Sequence, residues 1–203
     1  MFRTLILLSF LLIGCATSPG SNEPKESTVI IETGERLIAQ PPEGWQQVSL
    51  VNNMTLRVSD FIPASEDPAI WTTKISYESH RADQIEIDPL DLLAIDTQSA
   101  EKNCFATQQF NIYAGYENNY ESAVQLLLCN ENRNRQMGEI ALIKAIRGNE
   151  HYYVIRLIRR IPPFSPGEHQ LEDEEIASWA RYMSRIYVCD DSEQHPCRSA
   201  TFR

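Results

Sequence analysis

The chain has 203 residues, with 18 Lys and Arg against 28 Asp and Glu, for a formal net charge of −10. That balance argues against a nucleic-acid binder, because neutralising phosphates needs clustered Lys and Arg. With 42% hydrophobic and 23% charged residues the chain has the make-up of a folded domain rather than a disordered one. Its eight glycines fall into no phosphate-cradling or dinucleotide pattern, so nucleotide chemistry is not expected either.

Residues 1–14 read as an export signal: Arg3 gives a positive start, an apolar run covers Leu5–Ile13 with only Ser9 interrupting, and the run stops at Gly14-Cys15. The run is too short to span a bilayer, which takes about twenty apolar residues. Leu12-Ile13-Gly14-Cys15 resembles the lipobox of bacterial lipoproteins, which implies cleavage before Cys15 and lipidation of that cysteine. Several acyl chains at about 0.8 kcal/mol per buried methylene would hold the protein on a membrane through lipid alone. In such lipoproteins an aspartate after the cysteine favours inner-membrane retention; Ala16 stands there instead, which implies the periplasmic leaflet of the outer membrane. Residues 15–28 are the lipidated cysteine and a tether, Ala-Thr-Ser-Pro-Gly-Ser-Asn-Glu-Pro-Lys-Glu-Ser-Thr, with no large apolar side chain and a coil reach of roughly 20 Å. A single domain is expected over 29–203.

Within it, Val29–Ile31 and Glu35–Ala39 suggest a short hairpin around Thr33-Gly34, and Pro41-Pro42-Glu43-Gly44 a turn leading into Trp45. A strand is predicted where Met54, Leu56 and Val58 alternate with polar residues, and another at Ile70–Tyr77. Asp88-Pro89 caps a helix running to about Lys102, with Leu90, Leu93, Ala94 and Thr97 on one side. Four strands follow, at Phe105–Tyr113, Ser122–Cys129, Gly138–Arg147 and Tyr152–Arg159, reading as an antiparallel meander. Ile176, Trp179, Ala180, Met183 and Ile186 recur at three- and four-residue steps, so Glu172–Ile186 is a second helix, covering the sheet. Its acidic start, Glu172-Asp173-Glu174-Glu175, suits the positive end of the helix dipole better than a cation site. The order of elements predicts an α+β domain, an antiparallel sheet covered by two main helices.

Besides Cys15 there are Cys104, Cys129, Cys189 and Cys197, an even set in a compartment that the signal marks as oxidising. Of three possible pairings, a hairpin turning at Ala114–Asn119 sets Cys104 opposite Cys129, within disulfide range. The bond is worth about 3.5 kcal/mol by loop entropy, and Cys189–Cys197 about 2.6. A zinc site from Cys189, His195 and Cys197 with Asp190 or Asp191 is the alternative, disfavoured by the oxidising compartment and the ligand spacing. No metal or other cofactor is expected.

No Gly-x-Ser-x-Gly elbow is present, and His80, His151, His169 and His195 read as surface residues, so no catalytic residue is assigned. Asn53-Met54-Thr55 matches a glycosylation acceptor that a bacterial lipoprotein would not normally use. Lys144 and Arg156 sit inside apolar strands, where a charge is costly unless paired or solvated. They mark an open sheet face, with cross-strand ion pairs, or else a grip for an anionic ligand. Tyr113, Tyr116 and Tyr120 crowd a hairpin tip suited to protein recognition.

Pro41-Pro42-Glu43-Gly44-Trp45 entering a strand, the Met54–Ile62 strand, a helix, a strand meander and a closing amphipathic helix together resemble the Mog1/PsbP-like domain. Val188-Cys189-Asp190 and Pro196-Cys197 are similar to the ending of a group of proteobacterial envelope proteins of that shape. Members of the wider fold dock onto large partners, a GTPase or a photosystem; no residue here carries either partner over. The resemblance implies the fold and a bias toward binding. The expected function is a lipid-anchored periplasmic binding or adaptor module with an envelope-protein partner; the alternative is a periplasmic hydrolase or small-ligand enzyme.

Overall fold

The structure, a computed structural model, describes residues 34–82, 86–168, 171–190 and 192–197. The signal, Cys15, the tether, Val29–Ile31, His169 and Asp191 lie outside the described residues.

A seven-stranded antiparallel sheet contains β2 (Trp45–Asn52), β3 (Leu56–Pro63), β4 (Thr73–Arg81), β5 (Thr107–Glu117), β6 (Tyr120–Cys129), β7 (Gly138–Arg147) and β8 (His151–Ile161), in the order β2-β3-β4-β8-β7-β6-β5. The predicted meander is therefore β5 to β8. Helix α1 (Pro89–Asn103) lies over β5, β6 and β7 on one face; α2 (Asp173–Met183) covers the other. The α+β class, with two helices on a large antiparallel sheet, is as predicted.

Alternation sorts each strand between the two layers. Val124, Leu126 and Leu128 join Ile140, Leu142, Ile155 and Leu157 under Trp179 and Met183 of α2. Ala123, Leu127, Ile143, Ala145 and Val154 form a smaller core under Leu93 of α1. The first turn of α1 is closed by Asp88, whose Oδ1 accepts from the backbone N–H of Leu90 (2.7 Å) and Asp91 (3.0 Å), and Pro89 needs no partner there. The turn at Pro41–Gly44 is also present, with Gly44 in the left-handed region at φ 77°.

The first arm and Thr33 of the expected hairpin around Thr33-Gly34 lie outside the described residues, and the second arm makes a longer-range pairing. β1 (Arg36–Ile38) pairs antiparallel with β9 (Tyr187–Cys189), joining the two ends of the described chain. Just before it, Glu35 is buried and its carboxylate accepts backbone N–H groups at the β7–β8 turn, from Asn149 (2.5 Å) and His151 (3.1 Å), and the Tyr153 hydroxyl (3.1 Å). A carboxylate can occupy this dry position because those donors replace water. Gly148 permits the approach: a Cβ there would stand 2.3 Å from Glu35 Oε1.

Both disulfides are formed, Cys104–Cys129 with Cα atoms 5.6 Å apart and Cys189–Cys197 at 5.1 Å. The register argument for the first is corrected. The hairpin turns on two residues, Asn118 and Asn119, both at positive φ (50° and 63°), as a type I′ turn demands. With a bulge between Asn111 and Tyr113, Cys129 lies opposite Thr107. Cys104 is not in the strand but ends α1, so the bond ties helix to sheet rather than strand to strand.

Candidate functional site: the groove beneath the first helix

Only part of α1 is seated by apolar contact. Leu93 is fully buried, whereas Leu90, expected on the inner side, is exposed. The next turn meets the sheet through polar groups. Thr97 Oγ1 donates to Gln109 Oε1 (2.8 Å) and accepts from Gln125 Nε2 (2.9 Å), while Asp96 reaches Arg156 on β8. Beyond these, the Cys104–Cys129 bond pins the helix end. Between the polar contacts and the cystine a groove of about 290 Å³ remains open, floored by Leu127, Ala141, Ile143 and Ile158 and rimmed by Ser99, Asn103, Asn134, Arg135, Glu139 and Arg156. The volume is at the lower end of small-molecule sites.

The charges around the groove are matched in place. Arg156 Nε donates to both oxygens of Asp96 (2.9 and 3.1 Å), and its Nη1 to Glu78, which also bonds His80. Burial works against the charge on Arg156, but the two carboxylates outweigh it and raise its pKa. Glu139 accepts from Arg135 Nη1 (2.9 Å) and Arg160 Nε (3.2 Å), and the Arg160 guanidinium lies 3.4 Å over the Trp71 ring.

Burial pushes the Glu78 carboxyl up, yet the His80 hydrogen bond and the Arg156 charge prevail and hold it at about 2, well below the ordinary 4.5. A depressed acid contributes stability that is fully present above its unfolded pKa and is lost as pH falls through the folded one. Glu78 therefore supplies on the order of 3 kcal/mol that should vanish between about pH 4.5 and pH 2. Urea midpoints measured across that window should fall steeply in the wild type and more gently in Glu78→Gln. Parallel pH profiles would refute the assignment.

Lys144 and Arg156, expected together on an open sheet face, lie on opposite faces, each beneath a helix. Lys144 is fully buried. Its Nζ donates to the carbonyls of Met183 (2.9 Å) and Ile186 (2.7 Å) and pairs with Glu117, so its three N–H groups are committed inside the protein. The anion-gripping role is thereby corrected for Lys144: it is a pin holding the end of α2. Arg156 does border the groove, but as the partner of Asp96 and Glu78.

The three tyrosines also separate. Tyr113 and Tyr116 are exposed, whereas Tyr120 is buried, its ring stacked on His195 with centroids 4.1 Å apart and its hydroxyl donating to Asp190 (3.3 Å). Asn118 Nδ2 donates to Val188 O (2.8 Å), Asn119 Nδ2 to Gln194 O (2.7 Å), and His195 Nδ1 to Asn118 O (2.9 Å). The hairpin tip is thus latched onto the Cys189–Cys197 loop. Those cysteines are spent on each other, which removes the zinc alternative, and among the described residues no cluster of three or more His, Cys, Asp or Glu is placed to hold a metal. Asn53 accepts from the N–H groups of Thr55 and Leu56 in its own turn. At the start of α2, Glu175 pairs with Arg159 at 3.0 Å.

Sequence reasoning missed Asp96, Glu78 and Glu139. The available signal was Asp96, an acid on the buried side of α1 between Leu93 and Ala100, matching a cation interrupting a strand.

No family model matches the chain, and no curated protein is similar to it in sequence. Solved structures do resemble it. A mutant of the protein Mog1 has a TM-score of 0.43 and 11% identity over 78% of this chain and 83% of that one. LpqN of Mycobacterium tuberculosis, described as involved in cell envelope biogenesis, scores 0.46 at 13% identity, with 80% and 88% covered. The Ran-binding protein Mog1p of Saccharomyces cerevisiae scores 0.41 at 13% identity, with 73% and 82% covered. Likeness at this level concerns chain architecture and transfers no activity. Among the described residues no helix is long and apolar enough to cross a membrane.

Proposed function

We propose that the protein is a lipid-anchored periplasmic module of the bacterial envelope, held on the outer membrane through Cys15, that binds an envelope component in the groove beneath α1 and does not turn it over. The observation carrying the reading is the state of the groove's charges: Asp96, Arg135, Glu139 and Arg156 each face an opposite charge, over an apolar floor. An acid–base catalyst needs a group free to exchange a proton with its substrate, whereas a rim of matched charges around apolar atoms suits recognition by shape and hydrogen bonds. Two closed disulfides support an oxidising workplace, in keeping with the lipobox-like leader.

Two measurements test it. The intact mass of the purified protein should lack residues 1–14, carry acyl chains, and be lighter by four hydrogens than the fully reduced form. A retained leader or free thiols would refute the anchor. A photocrosslinker at exposed Asn134 in the membrane-attached protein should capture one specific component, and Ala141→Trp, which fills the groove floor, should abolish the adduct. No adduct, together with turnover of a substrate lost on a single groove substitution, would establish the hydrolase alternative instead.

A further inference from the structure

β5 is an end strand of the sheet, bonded along one side to β6. It runs for eleven residues, and from Thr107 to Tyr116 it holds no charged side chain, in a chain of net charge −10. Four large apolar side chains stand out along it: Phe110 at 51% exposure, Ile112 at 49%, Tyr113 at 37% and Tyr116 at 67%. Tyr113 lies back along its strand over Gly115, where a Cβ would come within 2.8 Å of its hydroxyl oxygen, and donates to Tyr116 O (2.9 Å). Monomers usually protect such an edge with Lys, Pro, an inward charge or a bulge; between Thr107 and Tyr116 β5 carries no Lys, Pro or charge, and its single irregularity is the bulge at Ile112.

We infer that β5 is the seam of a homodimer, in which a second copy of this chain pairs its own β5 antiparallel to the first. Charge selects that occupant. A two-fold interface brings each patch against itself, so an acidic chain can meet its own copy without repulsion only across an uncharged surface. The area is adequate as well. Four aromatic or aliphatic side chains about half exposed offer about 400 Å² per copy. With both backbone edges the total reaches roughly 1,000 Å², the lower bound of a specific interface. An antiparallel two-fold pairing centred near Asn111 brings Phe110 and the bulged Ile112 of the two copies together, aromatic–aliphatic contacts of the kind that stabilise adjacent strands. At the far edge, β2 shows only Leu50 and Val51 as exposed large apolar side chains. Pairing β2 with β5 would propagate an open filament rather than close.

The test is crosslinking of the purified, mature, disulfide-intact protein in detergent with a short bis-maleimide. Asn111→Cys should give a species of twice the monomer mass, and Leu50→Cys should stay monomeric. Adding Ile112→Lys to Asn111→Cys, an exposed change that leaves the circular dichroism spectrum unaltered, should lower the dimer fraction by roughly tenfold or more. The inference is overturned if Asn111→Cys stays monomeric up to the solubility limit, if Leu50→Cys crosslinks equally, or if the copurified adduct is a different protein. None of these outcomes bears on the groove, which lies on the face under α1.

Discussion

Lys144→Ala is expected to cost about 3–5 kcal/mol of stability, the range for removing one partner of a buried charged pair. The side chain is fully buried, and its ammonium group supplies what the end of α2 lacks. The last carbonyls of a helix have no partner within it and carry its negative pole. Here two carbonyls at that end, of Met183 and Ile186, accept from one Nζ, which Glu117 on β5 neutralises. Burial pulls the lysine pKa down, and Glu117 recovers only part of the shift. Deleting the side chain leaves Met183 O with only the Ile186 N–H (3.2 Å), removes the Nζ donor from Ile186 O, leaves Glu117 without its cation, and opens a void where the aliphatic stem packed. Lys144→Met keeps the volume and should cost less, about 1–3 kcal/mol. Urea unfolding of the two variants settles the matter: an alanine variant within about 1 kcal/mol of wild type would mean that α2 is held by packing alone.

Replacing Cys104 and Cys129 together by serine is expected to remove about 3.5 kcal/mol, the loop-closure value for a bridge spanning 25 residues. At about 2–4 °C per kcal/mol for a domain of this size, calorimetry should show a fall in Tm of about 7–14 °C. The loss has a local signature too. The bond holds the end of α1, which beyond Leu93 meets the sheet through Asp96, Thr97 and the small side chain of Ala100. Amide exchange should therefore accelerate over residues 97–103 while the α2 layer keeps its protection. A drop in Tm with uniform exchange would mean that the bond acts only on the unfolded chain.

The elements were legible where periodicity and end signals agreed. Gly138–Arg147 forms one strand with the predicted bounds, and Asp88-Pro89 opens α1 as its chemistry requires. Pairings were less legible. Three-residue strands such as β1 and β9 carry too few side chains to show alternation, so their union across the whole chain left no trace in the local pattern. The cysteine pairing was reached through a register that the Asn118-Asn119 turn and the bulge at Ile112 both displace. Lys144 shows the deeper limit. A cation in an apolar strand reads as solvent-facing when only that strand is considered, and it becomes the opposite once a helix from forty residues downstream brings its carbonyls over it. Glu35 was silent for the same reason, since its donors belong to a turn more than a hundred residues away. The groove itself is a mismatch between a helix with a half-polar underside and a flat apolar floor, and neither surface shows it alone.

Because β1 pairs with β9, Gly34 sits beside Asp190, at the end of the sheet where the Asn118-Asn119 turn meets the cystine loop. The groove is at the other end, beside Cys104 and the start of β7. Ten-residue strands run about 30 Å from the latched tip to the far mouth of the groove, whose floor reaches inward to Ile143. Under the proposed anchor at Cys15, the point of attachment is thus the latched end of the domain, and the groove opens on the part of the sheet away from it.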